Sequence, residues 1–240
     1  MFWLAWTLIA FAGGVTQTLT GFGAALVMML VLPYYRTVVQ SAAVASATAG
    51  ILSIFLIWHY REHLKPRKVL LSLAFYLAAS LTVLQFVQKI DLNLMGLLFG
   101  LFLTLLGLYY LFFSAKAHIP DTPLATAACG LFSGVCAACF GVGGPLMSLL
   151  FLEKFPKREE YAANLQLFFL MTNLVNTGAR VINGIFVAEL IPIVLIGAAS
   201  IWGGKQLGLR LADRMSADTL RKIIYLLVTF SGISTVLKYL

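Results

Sequence analysis

Gly141-Val142-Gly143-Gly144-Pro145 interrupts an apolar run, residues 124–152, that otherwise has the makings of a membrane helix. Unbroken, that run would measure ~45 Å at 1.5 Å per residue, against a bilayer core of ~30 Å. The first apolar run, 2–33, has the same character: Gly13-Gly14 and Gly21-Phe22-Gly23 interrupt it as Gly134 and the 141–145 stretch interrupt the second. The arms flanking these breaks are mostly seven to twelve residues long, which suits half a bilayer.

The two runs are copies. Shifting residues 14–32 by 120, half the chain, leaves seven of nineteen positions identical. Among the pairs are Gly14/Gly134, Gly21/Gly141 and Gly23/Gly143, and the same shift pairs Ala42-Ala43 with Ala162-Ala163. Aligned glycines weigh more than aligned leucines in so apolar a chain. The sequence is read as an internal repeat, about 1–119 and about 120–240, within a single membrane domain spanning 1–240.

Composition supports that class. Of 240 residues, 61% are hydrophobic and 11% charged, with a mean hydropathy of +0.94; soluble domains carry about 25% charged residues. Six further stretches read as ordinary spanning helices, roughly 38–58, 68–88, 92–113, 161–182, 187–207 and 219–239. Polar connectors separate most of them, and Asn183-Gly184 marks a tight turn. The net charge of +8 reads as loop charge rather than a nucleic-acid surface. Ala10-Phe11-Ala12 resembles a cleavage site but lacks a charged segment before it, so residue 1 is taken as the mature start.

Charge also bears on topology. If both glycine-broken segments cross the membrane, Lys and Arg divide 7 to 10 between the sides, which is no bias. If both are re-entrant, thirteen gather on one side and only Arg36, Lys89, Arg180 and Lys238 on the other. The second arrangement obeys the positive-inside rule. The expected fold is therefore an all-α integral membrane protein of two inverted repeats. Each repeat is a glycine-broken segment, re-entrant or discontinuous, plus three transmembrane helices, and both termini lie outside the cytoplasm.

Unwound backbone at membrane depth survives only where it is buried in protein or lines a polar cavity. Paired breaks in two halves point to a transporter's binding site. Pro145 stands where the first residue of a half-helix (146–152) would fall, and the free N–H groups there favour an anion. In the first half Gly21-Phe22-Gly23 precedes a half-helix from Ala24 to Leu32, with Gln17 and Thr20 beside it. All nine acids fall in loops or at helix ends, which argues against a cation or metal carrier.

One later span carries a polar stripe of Gln166, Asn173, Thr177 and Arg180, with Asn176 alongside. It reads equally as a cavity wall and as interhelical hydrogen bonding. Arg180, near the helix end, is expected to snorkel to the interface. Cys136 and Cys139 read as small packing residues, with Cys129 nearby and no disulfide framework. His59, His63 and His118 read as loop residues, and the four Trp as interfacial anchors. No catalytic cluster is visible, so no enzyme, catalytic residue, metal or cofactor is expected.

The segments Gly14-Val15…Gly21-Phe22-Gly23…Pro33 and Gly134-Val135…Gly141-Val142-Gly143-Gly144-Pro145 resemble the paired signatures of the sulfite exporter TauE/SafE family, also called the toluene sulfonate uptake permease family. The ending, Gly203-Gly204-Lys205-Gln206-Leu207-Gly208…Arg210-Leu211-Ala212…Leu220-Arg221, is similar to that family's closing pattern. The resemblance implies a multi-pass secondary transporter of the bacterial-type inner membrane, moving small sulfur-containing anions of the sulfite and sulfonate class. One departure is that the first copy reads Gly23-Ala24-Ala25 where the second has Gly143-Gly144-Pro145.

The expected function is alternating access about a midplane site. Its substrate-binding residues are Gln17, Thr20, Gly21, Phe22, Gly23, Gly141, Val142, Gly143, Gly144, Pro145, Gln166, Asn173 and Thr177. The partners are a small anionic substrate and the lipid bilayer, with homo-oligomerisation left open. The alternatives are a passive anion channel and, further off, a membrane enzyme or assembly factor.

Overall fold

The computed structural model describes the backbone of residues 1–112, 119–211 and 217–240, and the side chains there other than those of 217–224. Lys116, His118, Asp213, Arg214, Asp218, Arg221 and Lys222, read above as loop or helix-end residues, therefore lie outside the described side chains. Ten α-helices make up the described chain, with no strand among the described residues. They are α1 (Phe2–Thr20), α2 (Ala24–Met28), α3 (Val38–Tyr60), α4 (Pro66–Leu84), α5 (Leu92–Phe112), α6 (Pro123–Phe140), α7 (Gly144–Lys154), α8 (Arg158–Ile182), α9 (Ile191–Leu211) and α10 (Ala217–Tyr239).

Six helices among the described residues are long and apolar enough to cross a membrane, so this is a multi-pass membrane protein. α8 is not among the six. Its Asn164, Gln166, Asn173, Asn176 and Arg180 dilute the apolar character that length alone would supply.

The breaks are fewer than expected, and the arms before them longer. α1 and α6 run unbroken for 19 and 18 residues, through Gly13-Gly14 and Gly134. That is ~27 Å of helix, close to a full hydrocarbon core rather than half of one. These glycines serve packing. A Cβ on Gly14 would lie 2.5 Å from the Ile201 carbonyl oxygen, and one on Gly134 would run into the carbonyl oxygen of Tyr76. Small residues let helix backbones approach in lipid, where no hydrophobic force drives helices together.

The true breaks are at Gly21–Gly23 and Gly141–Gly143. Gly21 (φ 86°), Gly23 (107°) and Gly141 (70°) adopt the left-handed conformation that side chains disfavour. Gly21 N–H donates to the Gln17 carbonyl and Gly141 N–H to that of Ala137, which ends each helix. The helix after the first break, expected to reach Leu32, stops at Met28 and gives way to a single 3-10 turn at Leu32–Tyr34. The helix after the second break runs 11 residues from Gly144.

After each break the chain doubles back. The rings of Phe2 and Tyr35 meet at 4.8 Å between centroids, so the first broken segment begins and ends in one place. Asp121 and Lys154 pair at 3.5 Å, so the second does the same. The two meeting points lie at opposite ends of the bundle. Lys65–Glu160 (2.6 Å) and Lys68 over the Phe155 ring gather with Asp121 and Lys154 at a basic end. Lys238 over the Tyr34 ring and Gln88 bonded to the Asn183 carbonyl (2.6 Å) mark the far end.

Helix pairing crosses the halves. α1 packs on α9, α6 on α4, α3 on α8 and α5 on α10. The last contact is again glycine-mediated: Gly107 sits against Tyr225 and Thr229, and Gly232 against Gly100 and Thr104.

Three further expectations are corrected. Trp6 is fully buried and donates its indole N–H to the Ile193 carbonyl at 2.8 Å, so it is a packing residue, unlike the half-exposed Trp3 and Trp202. Arg180 is fully buried rather than snorkelling, because carbonyl oxygens reach its guanidinium inside the bundle. His59 lies in the last turn of α3 rather than in a loop.

Glu160, in the polar first turn of α8, is held below the usual carboxylate range by its hydrogen bond from Lys65. A carboxylate with a depressed folded-state pKa stabilises the protein above its unfolded value, about 4.5, and loses that contribution as pH falls through the lower folded value. Thermal melts of the wild type and Glu160→Gln are therefore expected to differ at pH 6, with the gap narrowing as pH falls below about 4.5. A gap that stays undiminished as the pH is lowered would contradict the pairing.

Candidate functional site

Both glycine breaks border one cavity in the middle of the bundle. Phe22 and Gly23 approach it from the first half, and Gly141 through Pro145 from the second. α3 contributes Ala49, and α8 contributes Phe169 and Asn173. Residues 120 positions apart in sequence thus share a wall because each chain turns back at a left-handed glycine.

The wall is rich in uncommitted donors. The N–H groups of Gly143 and Gly144, ahead of and at the start of α7, donate to no protein acceptor, and neither do those of Ala25 and Leu26. α7 points its positive dipole end at the same space. Glycine at 143 and 144 leaves this backbone bare. Asn173 adds a side-chain amide to the wall. No acidic residue lines the cavity, and no group of three or more His, Cys, Asp or Glu among the described residues could hold a metal.

Sequence reasoning missed five lining residues, Ala25, Leu26, Ala49, Tyr76 and Phe169, of which only Tyr76 brings a polar side-chain group. Tyr76 comes from α4 and lays its hydroxyl over Gly143, so that a Cβ there would be 2.5 Å from it. Tyr76 also packs edge-on against Phe168 at 5.0 Å. Nothing in its own neighbourhood of sequence marks it, since it is one aromatic residue in an apolar helix.

Of the expected site residues, Gln17, Phe22, Gly23, Gly141, Val142, Gly143, Gly144, Pro145 and Asn173 line the cavity. Thr20, Gly21 and Gln166 do not; they line a larger vestibule next to it, about 260 Å³, which opens at the basic end past Tyr60, Phe155, Arg158 and Tyr161. The Thr20 hydroxyl is spent on the turn, donating to the Phe22 carbonyl at 2.7 Å. Thr177 lines neither space, and its hydroxyl is buried without a hydrogen-bond partner.

A hydrogen-bonded partition separates vestibule from cavity. Gln17 donates to Gln166 Oε1 at 2.9 Å, and Ser53 donates to the same oxygen at 2.9 Å. Gln166 in turn donates to the Gly21 carbonyl at 2.7 Å, and Ala24 N–H reaches Gln17 Oε1 at 3.3 Å. The two readings of the polar stripe on α8 thus divide between residues. Gln166, Asn176 (bonded to Ser80 at 2.9 Å) and Arg180 tie helices together, and Asn173 faces the cavity.

The family model described as Sulfite exporter TauE/SafE matches residues 6–235, nearly the whole chain. No curated protein matches the chain, and no solved structure does.

Proposed function

The chain belongs to the sulfite exporter TauE/SafE family, and from that premise we propose that it is a secondary transporter of small sulfur oxyanions, binding them in the cavity between the two glycine breaks. The observation that carries this reading is the meeting of both breaks in one cavity whose wall holds free backbone N–H groups and no carboxylate. An oxyanion there would accept from Gly143 and Gly144, from the Asn173 amide, and from the N–H groups of Ala25 and Leu26. The α7 dipole adds to its binding.

Size narrows the substrate. The cavity is small, about 40 Å³, room for about three waters at ~10–15 Å³ each. A sulfite-sized anion suits it; an aryl sulfonate requires the cavity to widen. Alternating access, rather than an open channel, is supported by the vestibule at the basic end and the hydrogen-bonded partition beneath it.

Two inverted repeats, about 1–119 and about 120–240, are supported by broken segments that return to opposite ends of the bundle. The basic end carries Arg61, Lys65, Arg67, Lys68, Lys154, Lys157 and Arg158, and this excess of positive charge supports a cytoplasmic face for it in a bacterial-type inner membrane. Residues 2 and 239 then face outward. Impermeant thiol reagents are expected to label Lys65→Cys and Lys238→Cys from opposite faces; labelling of both from one face would overturn the topology.

The function is tested in proteoliposomes of purified protein. Saturable uptake of labelled sulfite against empty-liposome controls is expected, with competition by thiosulfate and small sulfonates but not by chloride. Uptake equal to that of the empty liposomes would sink the assignment.

A further inference from the structure

Arg180 is a fully buried cation whose described hydrogen bonds all go to uncharged groups. It donates through Nη1 to Ser46 Oγ at 2.9 Å and the Ala42 carbonyl at 3.4 Å. Through Nη2 it donates to the carbonyls of Ala137 (2.8 Å) and Ala138 (3.2 Å). Its Nε is buried without a partner, and no acid among the described residues pairs with it. Ala137 and Ala138 lie in the last turn of α6, where the helix dipole is negative, so the guanidinium clamps that turn to α3.

The 120-residue shift gives this clamp a meaning. Among the residues that line the vestibule at the basic end are Gln17, Thr18, Tyr60, Ala162 and Gln166. Their counterparts under the shift are Ala137, Ala138, Arg180, Ala42 and Ser46. These are Arg180 and the four residues it bonds. The space that stands open in one half is spanned in the other by a charged side chain.

We propose that Arg180 is the gating and anion-selecting residue of the half-path at the far end. The inference rests on the transporter reading. In this conformation Arg180 holds the far half-path shut by bridging α6 to α3. When that half opens, the bonds to Ala42 and Ser46 break and the guanidinium lines the new vestibule, offering an anion a charge-assisted partner. Neutral Tyr60 at the corresponding position of the basic end leaves the two half-paths with different electrostatics.

The test reads access rather than flux, so a protein that fails to carry sulfite can still pass it. In a background with Cys129, Cys136 and Cys139 replaced by alanine, single cysteines are placed at Ala42 (far half-path) and at Ala162 (vestibule). Each is labelled with small anionic and cationic thiosulfonate reagents. With Arg180 intact, Ala162→Cys is expected to react quickly and Ala42→Cys slowly. Arg180→Gln is expected to raise the Ala42→Cys rate at least tenfold.

Arg180→Lys is expected to raise that rate at least threefold while keeping a preference for the anionic reagent, which Arg180→Gln loses. An Ala42→Cys rate unchanged in a variant whose Ala162→Cys still reacts normally would overturn the gate. An anionic preference equal in the Lys and Gln variants would overturn the selectivity role. Failure of both variants to fold would make Arg180 a structural requirement and overturn the assignment as well.

Discussion

Gly144→Val is expected to lower sulfite uptake at least a hundredfold at equal expression, and Gly144→Ala about tenfold, with the protein still folded. A Cβ on Gly144 would meet the Phe169 ring at 3.2 Å, which the ring relieves by a small shift, and Phe22 Cβ at 3.4 Å, an ordinary van der Waals distance. The added methyl group stands on the cavity wall beside the N–H groups that the anion uses. Displacement of a bound substrate by about 1 Å is enough to cost ~100-fold. Gly143→Val should also abolish uptake, but for a mixed reason. Its Cβ would lie 2.7 Å from the Ser133 carbonyl oxygen as well as 2.5 Å from the Tyr76 hydroxyl, and backbone does not yield as a ring does. Uptake rates, read beside a thermal melt in detergent, separate the two effects. Wild-type uptake by Gly144→Val would remove the proposed site.

The second large effect is on folding. Gly134→Leu is expected to lower the melting temperature sharply and to cut the yield of monodisperse protein. α6 rests on α4 through direct contact of Gly134 with the Tyr76 carbonyl and of Gly130 with Phe75 and Tyr76. Overpacking a filled site costs about 1–3 kcal/mol, and here the obstructing atoms are main chain, so the helices must separate. Gly178→Ala is the control. A Cβ there meets nothing within 4 Å, and alanine favours a helix over glycine by up to ~1 kcal/mol, so no loss of stability is expected. Equal melting of the Gly134→Leu variant and the wild type would show that the α4–α6 contact is not close-packed.

The apolar stretches 38–58 through 219–239 coincide with helices α3, α4, α5, α8, α9 and α10 to within a few residues, and of these α3, α4, α5 and α9 have the length and apolarity of a membrane span. Apolar run length is a local property, and the bilayer enforces it. The glycine breaks were legible for a related reason, since an apolar run too long for the hydrocarbon core with glycines clustered near its centre invites an interruption there. Gly13-Gly14 and Gly134 misled because a glycine that breaks a helix and one that packs it look alike in sequence. Only the partner, Ile201 or Tyr76, tells them apart.

Arg180 was misread on the same ground. A cation near a helix end snorkels unless acceptors come to it, and its acceptors belong to α3 and α6. Thr177, expected at the site from its helical spacing, does not line the cavity although it follows Asn173 by one turn on the same face of α8; the cavity stops short of it.

From the order of its residues alone, this protein was bound to be a helical membrane protein with two matched interruptions and its acids confined to loops and helix ends. Those features follow from what hydrocarbon tolerates one segment at a time. Which interruption meets which, that Gln17 and Gln166 close a partition, that Tyr76 covers Gly143, and that Arg180 fills what its counterpart leaves open were decided by tertiary structure. Each depends on contacts between segments some 40 to 150 residues apart, set by how close two backbones can come, and no local pattern encodes that distance.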